Sequence, residues 1–337
     1  MGFELRQLRQ VVALAEHGSF VRAAAALHIS QPALSRSVQN LEAHFGSELF
    51  LRSSSGAVPT DLGRLYIERA RDLLRMADEL DREAVSHGNL RTGRVAVGGG
   101  PYPAEAVLAR AASKFVEQFP GVGVQVQSRN WDELARDLRS RELDFFVAET
   151  STLLRETDLE IAPMPAAHPV YFVVRSGHPL AAQGNACIAD VFAWPIVTPN
   201  RVPPRILDPM LTAHRSVTRQ LAAPYPFPSI ECNALAPAKR IVLNSDAITA
   251  SIPSCVATEL KSGRLVLLAR EPWMHLHYGI VSLKGRPLTQ VAERFLEFVL
   301  EAEGEAVSED ARLVARFASG SAAWRTRRSR SKPGRTG

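Results

Sequence analysis

The sequence predicts a helix-rich segment at the N-terminus followed by a larger α/β region made of two lobes. In residues 1–60, apolar residues recur at helical spacing and glycines interrupt the pattern. Beyond residue 92, short apolar runs alternate with amphipathic stretches, which is typical of parallel βαβ units. With 337 residues, the chain is long enough for about two domains that each bury a core.

The composition is that of an ordinary globular protein, with 46% hydrophobic and 22% charged residues. No stretch approaches the ~18 apolar residues that a membrane span needs, so we expect no membrane partner. Glu4, Arg6 and Arg9 stand where a secretory signal would be apolar, and we therefore expect a cytoplasmic protein. The cysteines are widely spaced and lack a C-x-x-C partner, which fits a reducing compartment and no zinc site. They are Cys187, Cys232 and Cys255.

The formal net charge is +5, but most of this charge lies in a tail. Residues 324–337 hold six basic residues and no acid, which leaves the rest of the chain at −1. Residues 1–60 hold five arginines against four glutamates, so any DNA binding there must depend on the placement of a few groups. The tail either adds non-specific phosphate contacts or is a disordered, solubilising end, and we favour the disordered end.

Three helices are predicted at the N-terminus. Helical spacing over residues 5–15 predicts the first, and Gly18 ends it. Ser19 is a favourable N-cap for the second helix. Ser30 caps the third, with Pro32 near its start, where a missing N–H costs little.

The third predicted helix has one apolar and one polar face. The apolar residues are expected to face the core: Leu34, Val38, Leu41 and Phe45. The polar face carries side chains that can pair with phosphate oxygens or base edges: Gln31, Ser35, Arg36, Gln39 and Asn40. The alternative is an ordinary solvated face on three packed helices.

A hairpin is predicted next. Residues 49–51 followed by a turn at 53–56 indicate two short strands. Three helices and such a hairpin form a winged helix-turn-helix.

A long helix follows the hairpin. Thr60 is expected to cap it, and it runs to about Val85, because neither Gly nor Pro occurs from residue 64 to 87. A partner helix would bury its heptad-like apolar residues, so these predict dimerisation: Leu62, Tyr66, Leu73, Met76 and Leu80. Packing against its own domain is the alternative.

Residues 18–63 resemble the DNA-binding segment of LysR-type transcriptional regulators nearly without gaps. The matching pieces stand in the family's order and spacing: Ser19-Phe20, Ala23-Ala24, Ser30-Gln31-Pro32, Ser35, Leu41-Glu42, Gly46, Leu49-Phe50, Arg52, Thr60 and Gly63. The resemblance implies that the third helix enters the major groove and that a basic wing residue reaches the minor groove. The DNA-binding residues it implies are Ser30, Gln31, Pro32, Ser35, Arg36, Gln39 and Arg52. Ser55 and Pro59 depart from the pattern, where the family usually has Arg and Leu.

The same resemblance implies a transcription factor that binds a roughly two-fold operator in double-stranded DNA as a homodimer or homotetramer. A small-molecule effector would modulate operator binding or DNA bending. RNA polymerase is a further candidate partner, and no cofactor is implied.

The α/β region is similar to the family's effector domain, which itself resembles periplasmic solute-binding proteins. Predicted strands begin near residues 94, 122, 143, 171, 195, 248, 265 and 278, and helices cover about 104–119, 236–243 and 288–301. The expected boundaries are a winged helix-turn-helix at 1–60, a dimerisation helix and hinge at 61–91, an effector-binding domain at 92–302 and a basic, disordered tail at 303–337. Within the effector domain, lobe I takes 92–164 and 268–302, and lobe II takes 165–267.

The effector is expected between the lobes. In open α/β sheets, ligands bind beyond the carboxyl ends of strands, where helix N-termini offer N–H groups to anions. Thr198 and Asn200 are suited to donate to a carboxylate, so an anion is one candidate effector. Asn130 as a mere helix cap and Tyr102 as a mere rim aromatic are the alternatives. The candidate residues are Pro101, Tyr102, Asn130, Thr198, Asn200 and Ile248.

No catalytic or metal constellation is recognisable in the sequence. The run Gly98-Gly99-Gly100 lacks both phosphate-loop patterns. His275 and His277 stand at strand spacing but are more typical of a surface or core pair than of a metal site. Two rival functions are a solute-binding transport component with the same two-lobed fold, which would need export, and an enzyme on the α/β lobes.

Overall fold

The structure is a computed structural model that describes residues 4–53, 56–86, 93–183, 186–199, 201–218, 225–268 and 270–318. Contacts divide the chain into two compact units, Met1–Asn89 and Leu90–Gly337. The first unit is helical with a small hairpin, and the second contains two five-stranded sheets with helices packed on them. This architecture confirms the predicted fold class.

Gly18, Ser30 and Thr60 end or begin their helices as predicted, whereas Ser19 occupies the N-cap of the second helix without a side-chain capping hydrogen bond. Gly18 ends the first helix with a φ of +60°. The Ser30 side chain accepts a hydrogen bond of 3.4 Å from the N–H of Ala33, and the Thr60 hydroxyl accepts one of 2.9 Å from the N–H of Gly63. The elements are α1 (Leu5–His17), α2 (Phe20–Ala26), α3 (Gln31–Phe45), β1 (Phe50–Ser53), β2 (Gly56–Pro59) and α4 (Asp61–Ser86).

The core of this unit lies between the inner faces of α1 to α4. Leu34 and Val38 of α3 are fully buried there. Phe45, which the pattern placed in the same stripe, is 38% exposed and lies edge-to-face against Tyr66 of α4, with ring centroids 5.1 Å apart. It stands in the last turn of α3, at the edge of the helix cluster, so the core prediction was wrong for this residue.

Ten strands are described in the second unit. In chain order they are β3 (Gly93–Gly99), β4 (Val122–Ser128), β5 (Phe145–Glu149), β6 (Leu159–Pro169), β7 (Tyr171–Arg175), β8 (Ile196–Pro199), β9 (Ile230–Cys232), β10 (Ile248–Ser251), β11 (Leu265–Leu267) and β12 (His275–Leu283). The first sheet has the order β4-β3-β5-β12-β6 and the second the order β11-β7-β10-β8-β9. Strands β3, β4 and β5 are parallel, as are β8, β9 and β10, whereas β12 and β7 run antiparallel to their neighbours.

Helices cover both sheets. Phe115, on a helix of the first sheet, packs edge-to-face against Phe295 of the last helix, with centroids 5.1 Å apart. The helices are α5 (Pro101–Pro103), a π-helical turn (Ala104–Leu108), α6 (Ala109–Gln118), α7 (Trp131–Arg139), α8 (Pro179–Ala182), α9 (Ile188–Val191), α10 (Pro204–Thr218), α11 (Leu235–Asn244), a 3₁₀ turn (Pro253–Val256), α12 (Ala257–Lys261) and α13 (Gln290–Phe317). Lobe I is the first sheet with α5 to α7, and lobe II is the second sheet with α8 to α12.

Two elements escaped the sequence pattern because of their prolines. Strand β6 contains three prolines and is an edge strand of its sheet, where a missing N–H is tolerated. It extends lobe I to Pro169, a few residues beyond the expected boundary. Helix α10 carries Pro209 in its interior, where proline usually breaks a helix.

The predicted tail at 303–337 was wrong for its first part. Helix α13 continues to Phe317 rather than ending near residue 301. Two of its acidic residues, Glu303 and Asp310, are buried, and their partners are far away in sequence, so the local pattern did not reveal them. The arginine-rich residues 324–337 lie outside the described residues.

Candidate nucleic-acid interface and ligand cleft

The polar face of α3 is the candidate nucleic-acid interface. The buried residues on its other face set its rotation, so the polar face points away from the core. The Arg36 Nε donates a long hydrogen bond of 3.4 Å to the carbonyl oxygen of Pro32. The terminal nitrogens of this guanidinium carry further donors of the kind that pairs with guanine or phosphate. Ser35 is half-buried, and the exposed predicted residues are Ser30, Gln31, Pro32, Arg36 and Gln39.

Two polar contacts position α3 and the wing. Gln10 of α1 is buried and accepts a hydrogen bond of 2.5 Å from the hydroxyl of Ser37. The Glu42 carboxylate accepts hydrogen bonds from the N–H groups of Leu49 (2.9 Å) and Phe50 (3.2 Å), where the wing begins. Glu42 thus ties the wing to the third helix, a role that the sequence did not reveal although Leu41-Glu42 belonged to the family match.

The wing is a two-stranded hairpin in which Arg52 pairs with Ala57. The side chain of Arg52 lies outside the described residues. The N–H of Ala57 donates to the carbonyl oxygen of Gly18 at 2.9 Å. At Gly56, with a φ of +133°, a Cβ would lie 2.2 Å from that same oxygen, so the hairpin needs glycine there.

Helix α4 carries an apolar face that is exposed among the described residues. Ile67 and Ala70 are buried in its own unit. Tyr66 is half-buried and packs against Phe45, so its ring contributes to the packing of the first unit. The other predicted dimerisation residues are exposed: Leu62, Leu73, Met76 and Leu80.

A cleft separates the two lobes of the second unit. It encloses a cavity of about 70 Å³. Its aliphatic walls include Val170, Ile196, Ile206, Met210 and Leu276, and its aromatic walls are Tyr102, Trp131 and Tyr278. The charged groups that line it are Arg129, Arg201 and Glu149.

Four of the six predicted effector residues line this cleft: Pro101, Tyr102, Asn130 and Thr198. Asn200 lies outside the described residues. Ile248 is fully buried in the core and does not line the cleft, so this choice was wrong. Ala250 lines the cleft instead. Residues two apart on a strand face the same side, and the sequence could not show which of the two reaches the cavity.

Among the described residues, Asn130, Arg201 and Tyr102 contact the opposite lobe across the cleft. The Asn130 Oδ1 accepts a hydrogen bond of 3.1 Å from the N–H of Arg201, while its own N–H donates to Glu133 at 3.2 Å. Asn130 therefore caps α7 and also reaches lobe II. Arg201 forms an ion pair of 3.0 Å with Asp132, and the Tyr102 hydroxyl donates to Ala250.

A buried carboxylate at the end of β5 was missed by the sequence reading. Glu149 accepts hydrogen bonds from the Arg205 Nε at 3.1 Å and from the Ser151 hydroxyl at 2.8 Å. Arg205 also donates to the carbonyl oxygen of His275 at 2.5 Å. The position of Glu149, directly after a predicted strand, was the signal available in the sequence.

Neither a metal site nor a membrane span is found in the part of the chain that the structure describes. No group of three His, Cys, Asp or Glu side chains there is arranged to hold a metal ion. No described helix combines the length and apolarity that crossing a bilayer requires.

Comparisons with known proteins agree with this architecture. The chain matches the family models of the bacterial regulatory helix-turn-helix protein, lysR family, over residues 5–64, and of the LysR substrate binding domain over residues 88–304. The SDS degradation transcriptional activation protein of a Pseudomonas species is 37% identical over 315 residues, covering 92% of this chain and 99% of that protein. A probable RuBisCO transcriptional regulator of Trichormus variabilis is 27% identical over 309 residues, with 88% of each covered.

Two full-length structures share the fold. CbnR in complex with its target DNA has a TM-score of 0.64 at 22% identity, covering 89% of this chain and 100% of that one. An OxyR variant from Pseudomonas aeruginosa has a TM-score of 0.60 at 20% identity, covering 90% of this chain and 95% of that one.

A winged helix-turn-helix joined to a two-lobed α/β domain with a cleft defines a DNA-binding regulator with an effector-binding domain. The chain belongs to the LysR family of transcriptional regulators. Proteins of this family bind DNA and small-molecule effectors, form oligomers and are generally not enzymes.

Proposed function

We propose that this regulator reads its operator with the polar face of α3 and that an effector in the cleft changes operator affinity or DNA bending. Gln31, Arg36 and Gln39 are exposed on one helical face and offer the donors and acceptors that base edges require. The exposed apolar face of α4 supports a homodimer or homotetramer, which suits a two-fold operator. The protein acts in the cytoplasm, contacts RNA polymerase at the promoter and has no catalytic activity of its own.

We infer that the effector is a small amphiphile with an apolar body and an anionic head. The observation that carries this inference is the lining of the cleft, which is mostly aliphatic and aromatic. Arg129 and Arg201 are the cations that line the cleft. Each pairs with a carboxylate of α7, Arg129 with Asp137 at 3.3 Å and Arg201 with Asp132 at 3.0 Å. Both guanidinium groups stay partly exposed, so an anionic head can join or replace these partners. An apolar pocket lined by a few charged groups selects such a molecule.

The most similar relative described above is named for SDS degradation. Dodecyl sulfate combines an alkyl chain with an anionic sulfate, which matches the chemistry of this cleft. Alkyl sulfates are therefore the first class to test.

The experiment measures operator affinity with and without an alkyl sulfate. A duplex selected from random sequence by the full-length protein serves as the operator, and fluorescence anisotropy at fixed salt reports its affinity. Decyl sulfate below its micellar concentration is expected to change this affinity at least threefold, whereas inorganic sulfate has no effect. Near-ultraviolet circular dichroism checks that the protein stays folded.

The control is Ala250→Leu, which fills the cavity and leaves the residues of the DNA-binding unit unchanged. This variant is expected to bind the operator like the wild type and to lose the response to decyl sulfate. An equal response in the variant, or none in the wild type with alkyl sulfates and alkyl carboxylates of several lengths, would contradict the proposed effector class.

A further inference from the structure

Helix α13 contacts both lobes. Near its start, Phe295 packs on Phe115 of lobe I. Near its end, Val314 and Phe317 pack on the core of lobe II. The family model of the effector domain ends at residue 304, so residues 305–318 lie beyond the segment that the model covers.

Glu309 is the first of two bridges within this segment. One of its oxygens pairs with Arg110 on α6 of lobe I. The other lies 2.9 Å from the Nζ of Lys261 on α12 of lobe II. Although burial opposes ionisation, these two cations hold the pKa of Glu309 below its ordinary value. A single carboxylate is thus shared between the lobes.

Asp310 is the second bridge and is 1% exposed. Its Oδ2 lies 2.7 Å from the Nδ1 of His168 on β6 of lobe I. Its Oδ1 accepts a hydrogen bond of 2.6 Å from the N–H of Ser254, in the 3₁₀ turn of lobe II. Hydrogen bonds to a buried carboxylate are strong because no water competes for them.

The ring of His168 connects the Asp310 bridge to a residue that lines the cleft. The His168 ring, held from its other nitrogen by Glu303 at 2.9 Å, stacks on the ring of Tyr278 with centroids 4.7 Å apart. Tyr278 lines the cleft. A change in the separation of the lobes must therefore move groups that the bridges hold.

We propose that residues 309–318 of α13 form an inter-lobe strap, which holds the cleft closed through Glu309 and Asp310 and sets the equilibrium between closed and open lobes. The cavity of about 70 Å³ is well below the ~300 Å³ of a typical ligand pocket, so the lobes must separate to admit a ligand. Opening stretches both bridges, because each carboxylate contacts both lobes. By setting this equilibrium, the strap also controls entry of the effector, and this consequence alone rests on the proposed function.

The test uses Cys255 as a native reporter of lobe separation. This thiol is 3% exposed, and its Sγ lies 3.7 Å from the carbonyl oxygen of Tyr102 in the other lobe. Burial raises the pKa of the thiol, so its reaction with a disulfide reagent requires exposure. The full chain carries Cys187→Ser and Cys232→Ser, so that the measured labelling rate belongs to Cys255.

The strap variant is Glu309→Gln with Asp310→Asn, and labelling of Cys255 is expected to accelerate at least tenfold. The matched control is Glu301→Gln with Glu305→Gln on the same helix. These two residues pair with Lys114 of lobe I at 2.8 and 2.7 Å, so the control loses the same charge without loosening a bridge. Its labelling rate is expected to stay within twofold of the wild type.

A wild-type labelling rate in the strap variant would overturn the proposal. So would an acceleration no larger than the increase in global unfolding measured by urea titration, because the segment would then merely stabilise the fold. If the double variant does not fold, Lys261→Gln at the exposed end of the Glu309 bridge replaces it. That variant is expected to accelerate labelling about threefold, and an unchanged rate overturns the proposal. Neither DNA nor effector is present, so this test succeeds or fails independently of the proposed function.

Discussion

The phenolic hydroxyl of Tyr102 in lobe I donates a hydrogen bond of 2.7 Å to the carbonyl oxygen of Ala250 in lobe II. The bond crosses the cleft, and both residues line it. Burial of the hydroxyl raises the pKa of Tyr102, so the group remains a neutral donor at any physiological pH. Opening of the cleft would therefore break this hydrogen bond.

Replacing Tyr102 by Phe is expected to lower the free energy of unfolding by about 1 kcal/mol, because one buried hydrogen bond is lost while the ring remains. Urea denaturation of the full-length protein measures the change. Tyr225→Phe is the matched control, since Tyr225 is 46% exposed and is expected to show no measurable effect. Equal stability of the Tyr102 variant and the wild type would show that the bond does not hold the lobes together.

Replacing Arg36 by Ala, or Gln39 by Ala, is expected to weaken specific operator binding by about 1–3 kcal/mol. Each removes a base-edge or phosphate partner from an exposed face without touching the core. Anisotropy with the selected duplex and with a scrambled duplex measures specific and non-specific affinity. Arg71→Ala, on α4, removes the same charge and serves as the control. Undiminished specific affinity in both α3 variants would contradict the assignment of α3 as the reading helix.

Replacing Leu73 and Met76 of α4 by Glu is expected to weaken self-association at least tenfold. Both side chains are exposed and apolar in the single chain, and charges placed in a helix seam repel each other. Sedimentation equilibrium measures the dissociation constant. Leu154→Glu, at an exposed apolar position of the second unit, controls for the added charge. Unchanged association in the double variant would mean that α4 does not form the interface.

The buried His168 predicts a dependence of stability on pH. Burial alone would lower its pKa, but hydrogen bonds to Asp310 and Glu303 outweigh this and raise the pKa to about 9. A histidine in an unfolded chain titrates near 6.5. Because the folded state holds the proton more tightly, the stabilisation is fully present below about pH 6.5 and is lost as the pH rises through about 9.

Urea denaturation of the wild type and of His168→Gln at pH 6, 7.5 and 9.5 tests this dependence. The difference in unfolding free energy between the two proteins is expected to shrink as the pH rises. Comparing the two proteins at each pH removes the contribution of other titrating groups. A difference that stays constant across this range would show that His168 does not carry a proton in the folded state.

Local sequence was sufficient to predict the helices and the hairpin of the first unit and most strands of the second. Ser30 and Thr60 cap their helices through N–H groups three residues away, and Gly18 ends α1 with its own backbone. Such signals act over one helical turn, so the order of residues alone reveals them. The face of α3 that carries Arg36 and Gln39 followed from the spacing of its apolar residues.

The sequence by itself determined the family, the two-part architecture and the face of α3 that points away from the core. Tertiary structure decided which residues meet at the cleft and how far the last helix extends. Ala250 rather than Ile248 lines the cavity, because the position of the opposing lobe determines which residues of the strand reach the cleft. Asp310 lies in the core because His168, 142 positions earlier, and Ser254, 56 positions earlier, supply its hydrogen bonds. Contacts at such separations depend on how the whole chain packs, and no local pattern records them.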